Sequence, residues 1–216
     1  MAEGIFVTGT GTEVGKTVVA ATLARTLAGE GRRVAVFKPA VTGLDEGVET
    51  DHALIRRASG SDQSDEEIAP YRYGPPASPH LAAALAGEEI DPARLREAAA
   101  TAAAGTDAIV CEGVGGLLVP LSPAYLVRDL AVDLGYPLIV VASPGLGTIN
   151  HTMLTVEAAR AAGLEVAAVV LTPWPEEPTE IERSNRETIA DLASAPVITL
   201  PEIDLADLSS WPALKI

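Results

Sequence analysis

The chain has 216 residues, enough for one α/β unit with a well-buried core, and its 30 acidic against 15 basic residues leave a net charge of −15. A field of that sign repels nucleic acid and anionic lipid, so no nucleic-acid or membrane partner is expected, and bound phosphates must be held by local groups and a metal ion. The single cysteine, Cys111, excludes an intrachain disulfide, no stretch offers about 18 consecutive apolar residues, and no basic segment precedes an apolar one at the N-terminus; a cytoplasmic protein is expected.

In chain order, an apolar strand at Ile5–Val7 runs into Thr8-Gly9-Thr10-Gly11-Thr12-Glu13-Val14-Gly15-Lys16-Thr17 and then an Ala-rich helix over Val18–Ala28. Strand, glycines, Gly-Lys-Thr and helix in that order read as a phosphate-binding loop, in which backbone N–H groups and the helix start face phosphate oxygens. Lys16 then reaches the β- and γ-phosphates and the Thr17 hydroxyl is placed to ligate Mg²⁺. Five residues, not four, separate Gly9 from Gly15, and Thr10 stands where the strict pattern has glycine, so the loop is a variant.

The next strand, Val34–Phe37, ends at Lys38-Pro39, which points a lysine toward the same crevice, with Thr42-Gly43 downstream either contacting substrate or turning. Asp51 opens a helix over His52–Ser59 and is either a metal ligand or a first-turn acid. Ser59–Pro79 reads as loop. Asp91-Pro92 caps a helix over Ala93–Ala104, and the strand Ala108–Cys111 delivers Glu112 beside the turn Gly113-Val114-Gly115-Gly116, the place for a carboxylate that helps hold Mg²⁺.

A helix over Leu126–Leu134 and a strand over Leu138–Ala142 lead to a second Gly-rich turn, Ala142–His151, whose N–H groups suit an anion such as a carboxylate or simply make a tight turn. A helix over Ile149–Ala162, stopped by Gly163, a strand over Val166–Leu171, a helix over Thr179–Ala193 and a strand over Val197–Leu200 complete the pattern. Thr172–Pro178 is too rich in proline for helix or central strand. Strands apolar throughout imply burial on both faces, so the expected fold is α/β: a single domain over 1–216 with a doubly wound, mostly parallel sheet, the phosphate-loop NTPase fold.

Other chemistries fit poorly. The histidines, His52, His80 and His151, are scattered, no Gly-x-Ser-x-Gly elbow occurs, and Cys111 reads as a small buried strand residue.

The loop together with Lys38-Pro39, Thr42-Gly43, Asp51, Ser78-Pro79-His80, Glu112-Gly113-x-Gly115-Gly116 and Gly147-x-Ile149-Asn150-His151-x-Met153-Leu154-Thr155 resembles the dethiobiotin synthetases over most of the chain. The resemblance implies that diaminopelargonic acid takes up CO₂ as a carbamate, ATP phosphorylates it, and the second amine closes the ring, giving dethiobiotin, ADP and phosphate. It further implies that Lys16 and Lys38 stabilise phosphate and carbamate oxygens with Thr12 near the carbamate, and that Thr17, Asp51 and Glu112 hold Mg²⁺. Glu13, Val14, Gly15 and Val18 of the loop, Gly113, Val114 and Gly115, and Thr172, Pro201, Glu202 and Ile203 are the implied nucleotide contacts. Thr42 is implied to contact the diamine. The turn Gly147, Thr148, Ile149 and Asn150 is implied to receive its carboxylate from the neighbouring subunit of a homodimer.

One departure bears on the base. Where members of that family often carry Asn-Asp, this chain has Thr172-Pro173, and proline offers no backbone N–H, so CTP or GTP is expected to replace ATP in part. Two other readings of the loop remain. An amidoligase relative would require a glutamine-hydrolysing unit, for which the chain has no room. A partner-regulated switch ATPase typically has a further lysine at the loop's start, where this chain has Gly11.

Overall fold

A computed structural model describes residues 2–47 and 49–216. Along the chain lie β1 (Glu3–Gly9), α1 (Lys16–Gly29), β2 (Val34–Phe37), α2 (Asp51–Ser59), α3 (Asp65–Ile68), α4 (Pro79–Leu85), α5 (Pro92–Ala103) and β3 (Ala108–Gly116). There follow β4 (Pro120–Ser122), β5 (Tyr125–Leu126), α6 (Val127–Leu134), β6 (Leu138–Ala142), α7 (Thr148–Ala161), β7 (Val166–Trp174), α8 (Glu180–Ala193) and β8 (Val197–Pro201).

The six long-range strands form one sheet in the order β2-β3-β1-β6-β7-β8, and every pairing in it is parallel. The chain winds to one side of β1 for β2 and β3 and to the other for β6, β7 and β8, so the crevice beyond the carboxyl end of β1 is where an α/β sheet of this type places its ligand. Alternate residues of each strand feed two separate cores. On one face Val7, Val36, Val110 and Val141 meet α1, α2 and the C-terminal Trp211 and Leu214. On the other, Phe6, Phe37, Cys111 and Val140 pack with α5, α6, α7 and α8. Burying a side chain such as Phe6 or Phe37, each almost without exposure, stabilises the sheet by about 1.5–3 kcal/mol apiece. Among the described residues no helix is long and apolar enough to cross a membrane.

The helix ends follow their local chemistry. Pro92 opens α5 while the Asp91 carboxylate accepts from Ala93 N at 2.8 Å, and α8 starts in a capping box in which Thr179 and Glu182 satisfy each other's backbone N–H groups. Gly163 ends α7 with φ 78°.

The structure departs from the sequence reading in four places. β3 does not stop at Cys111 with a flexible turn after Glu112; it continues through Gly116, which pairs with Gly9 after a register shift. β7 continues through Thr172, Pro173 and Trp174 despite the proline. β6 has ended at Ala142, opposite Leu171, so no ladder on that side needs the missing N–H, and Trp174 finds Pro201 on the other side. The expected loop Ser59–Pro79 holds the single turn α3, capped by Ser64 and Glu67, and α4 begins at Pro79. The β4–β5 hairpin was not expected from the sequence, its strands being too short to carry a period.

Candidate active site

The loop leaves β1 pinned to the next strand, since Thr10 N donates to Val141 O at 2.9 Å. It reaches α1 through Gly15, whose φ of 92° only glycine adopts without strain. A Cβ there would also stand 2.6 Å from Thr172 Cγ2, so the end of β7 packs directly on the loop. No acid lies in the first turn of α1, which leaves its N-terminal N–H groups open to an anion. Lys16 folds back within the loop, its Nζ donating to Gly11 O at 2.8 Å.

Thr17, the next residue, meets two carboxylates brought from distant elements. Its Oγ1 lies 2.9 Å from Asp51 Oδ1 and 2.9 Å from Glu112 Oε1, one hydroxyl hydrogen for two acceptors. Asp51 comes from the first turn of α2, and Glu112 from β3, in register with Val7 of β1. Lys38, at the end of β2, completes the cluster: its Nζ is 2.7 Å from Asp51 Oδ2 and 2.9 Å from Glu112 Oε1. Its backbone is fixed by Lys38 N donating to Ile68 O at 2.9 Å.

Burial governs the electrostatics. It depresses the Lys38 ammonium, but Glu112 and Asp51 outweigh it and hold the group above the ordinary lysine value. Asp51 is pushed up by partial burial and pulled further down by Lys38 and the Thr17 hydrogen bond, ending below the usual carboxylate value. Burial sets Lys16 below the usual lysine value, only partly offset by Glu112. It likewise pushes the Glu112 carboxyl up against the pull of Lys38. Among the described residues Glu112 Oε2 is buried with no hydrogen-bond partner. A hydroxyl and two carboxylates, one of them with an unsatisfied buried oxygen, form an all-oxygen donor set, which suits Mg²⁺.

These groups face one cavity of about 680 Å³, lined by Thr12, Glu13, Gly15, Lys16, Thr17, Val18, Lys38, Thr42, Asp51, Glu112, Val114 and Gly115, with Pro76–Pro79 and Val119. The last two were not singled out as site residues from sequence; the segment before α4 carries the Ser78-Pro79 pair, the one signal that points to it. Val14 instead packs against Gly9, and Gly113 against Phe6 and Val127. Thr172 is buried behind Gly15, and Pro201, Glu202 and Ile203 lie at the end of β8, outside the cavity. Gly147, Thr148, Ile149 and Asn150 form the start of α7, also outside it, with Thr148 buried, Ile149 half-buried and Asn150 exposed. An apolar groove on the far side of the loop, lined by Gly9–Thr12, Gly116–Val119, His151, Leu154, Thr155 and Ala158, shares Thr12 and Val119 with the cavity.

The family model described as an AAA domain matches residues 3–209. The ATP-dependent dethiobiotin synthetase of Anaeromyxobacter dehalogenans (strain 2CP-1) is 44% identical over 205 residues, spanning 94% of this chain and 92% of that protein. That of Bacillus subtilis (strain 168) is 37% identical over 196 residues, spanning 90% and 85%. The chain belongs to the dethiobiotin synthetase family. In this dethiobiotin synthetase family member the sheet also matches solved structures of lower identity. The septum site-determining protein MinD of Pyrococcus horikoshii, solved with Mg-ADP, aligns at 19% identity with a TM-score of 0.57 over 94% of this chain and 82% of its own. The cell-division ATPase MinD of Pyrococcus furiosus does so at 20% and 0.57 over 94% and 84%. At that identity the likeness concerns the fold alone.

Proposed function

We propose that this protein carboxylates 7,8-diaminopelargonic acid and closes its ring at the expense of ATP, giving dethiobiotin, ADP and phosphate. The observation that carries the reading is the convergence of Lys16, Thr17, Lys38, Asp51 and Glu112 on one cavity beyond the carboxyl end of β1. Phosphoryl transfer asks little covalent chemistry of a protein; it asks for alignment and for positive charge near oxygens that gain negative charge.

The residues divide that work. The loop N–H groups from Glu13 to Val18 and the ammonium of Lys16 receive the phosphates. Lys38, just after β2, steadies the carbamate and the phosphoryl group passing to it, with Thr12 beside the carbamate and Thr42 on the diamine. Thr17, Asp51 and Glu112 hold Mg²⁺, which when bound offsets phosphate charge. Transfer of the γ-phosphoryl to the carbamate makes a mixed anhydride; the second amine then attacks its carbonyl carbon, the C–O bond to phosphate breaks, and phosphate leaves with the electron pair. Pro76–Pro79 and Val119 close the walls around that step.

Gly147, Thr148, Ile149 and Asn150, outside this chain's own cavity, suit a substrate carboxylate held in the partner subunit of a homodimer. Base recognition is relaxed in this reading, because Thr172-Pro173 offers little hydrogen bonding to adenine and Pro201, Glu202 and Ile203 are peripheral, so CTP and GTP serve in part. A cytoplasmic location fits these substrates.

The test is direct. Protein, diaminopelargonate, bicarbonate, Mg²⁺ and ATP are combined and dethiobiotin is sought by mass; no product at saturating substrate overturns the assignment. In the same assay CTP and GTP each support turnover, and strict dependence on ATP overturns the relaxed-base part alone.

A further inference from the structure

We infer that Lys38 stands in for the metal while the nucleotide is absent, so that a divalent cation binds this site tightly only together with the nucleotide. The inference rests on the metal role proposed above for Thr17, Asp51 and Glu112.

One ammonium bridges both carboxylates, at 2.7 Å from Asp51 Oδ2 and 2.9 Å from Glu112 Oε1. It therefore already occupies oxygens that a cation would require, including the one shared with Thr17. Lys38 and Glu112 are both buried in this contact, with side chains 3% and 1% exposed. An arriving ion must shed tightly held water and break a buried ion pair at the same time. The local charge offers it little compensation: Lys16 and Lys38 offset Asp51 and Glu112, and among the residues lining the cavity only Glu13 is left as an unbalanced acid, so a free dication meets a nearly neutral cluster. A nucleotide changes that balance, since its phosphates bring negative charge for the ion and an alternative partner for the ammonium of Lys38.

The fit of the cluster to a cation is nonetheless retained. Glu112 Oε2 is buried and has no partner among the described residues, so the ammonium satisfies only one oxygen of that carboxylate, and Asp51, with its side chain 48% exposed, leaves an approach from the cavity. Lys38 thus keeps the ligands gathered and charged without satisfying them fully. A lysine with a purely structural role would be replaceable by nothing the solution supplies; a stand-in is replaceable by the ion itself.

The test titrates Mn²⁺, read by its electron paramagnetic resonance signal, into the nucleotide-free full-length protein, as wild type and as Lys38→Gln. The wild type binds Mn²⁺ weakly alone and more tightly once ADP is added, whereas Lys38→Gln binds it without nucleotide at least about tenfold more tightly than wild type, the removed charge having opposed the ion at close range. Adding Glu112→Gln to Lys38→Gln removes the gain. If Lys38→Gln is unfolded without metal, Mn²⁺ restores its cooperative thermal transition. Equal affinity of wild type and variant, or an unfolded variant that Mn²⁺ does not rescue, overturns the inference. No diamine enters this experiment, so failure here with dethiobiotin still formed leaves the proposed reaction standing, and the reverse outcome removes the reaction alone.

Discussion

Lys38 and Glu112 meet at 2.9 Å from neighbouring strands, both side chains almost wholly removed from water, while the second carboxylate on the same ammonium, Asp51, is half exposed. The two acids therefore differ in what their loss leaves behind. Glu112→Gln leaves a buried ammonium with only the half-exposed Asp51 as counter-ion and should cost about 3 kcal/mol of stability, as breaking the buried side of such a cluster does. Asp51→Asn, whose carboxylate is screened by water, should cost about 1 kcal/mol or less. Urea unfolding of both variants without metal or nucleotide measures the difference; equal losses would contradict the unequal burial.

Gly15 is constrained twice, by its φ of 92° and by Thr172 Cγ2 at 2.6 Å from where a Cβ would stand. Gly15→Ala should lose about 1–3 kcal/mol from backbone strain alone, and nucleotide affinity should fall with it. Thr172→Ser removes the methyl in the way. The double variant should recover part of the loss but not the strain, and full recovery on denaturant titration would show that contact, not conformation, fixes glycine there.

Lys16 has its pKa set below the ordinary lysine value by burial, against which Glu112 pulls only partly. Bound phosphate favours the charged ammonium, so nucleotide binding takes up protons and affinity falls as pH rises through that lowered pKa. The decline should begin on the neutral side of the ordinary lysine value of about 10.4. Calorimetry in buffers of different ionisation heat checks it: proton release on binding at alkaline pH has the wrong sign for this account.

Thr179 accepts from Glu182 N at 3.3 Å, and the Glu182 carboxylate accepts from Thr179 N at 2.7 Å, at the start of a helix remote from the cavity. Thr179→Ala should cost about 1 kcal/mol and leave turnover at wild-type level. A large change in turnover with unchanged stability would place α8 in the reaction.

The fold was legible where the sequence carries a period or a punctuation mark. Val34–Phe37 and Leu138–Ala142 match the strands residue for residue, because runs of apolar β-branched residues bounded by polar ones have no other burial available to them. Asp91-Pro92 and Gly163 marked helix ends for the same local reasons. The extensions of β3 through Gly116 and of β7 through Trp174 were illegible, since they depend on what the neighbouring strands do at that height of the sheet. The site divides similarly. Lys16, Thr17, Lys38 and Asp51 each follow a strand or open a helix, and that position could be read locally; Glu112, expected just after a strand, lies inside β3. That Lys38 spans Asp51 and Glu112 could not, because it arises from strand order, which puts β3 between β1 and β2.

Thr12 and Val119 border both the phosphate-side cavity and the apolar groove behind the loop. Shortening either side chain would therefore alter two compartments in one stroke, and neither can be reshaped alone. For anyone reshaping this protein, the partition is the place where room on one side and alignment on the other are bound to trade against each other.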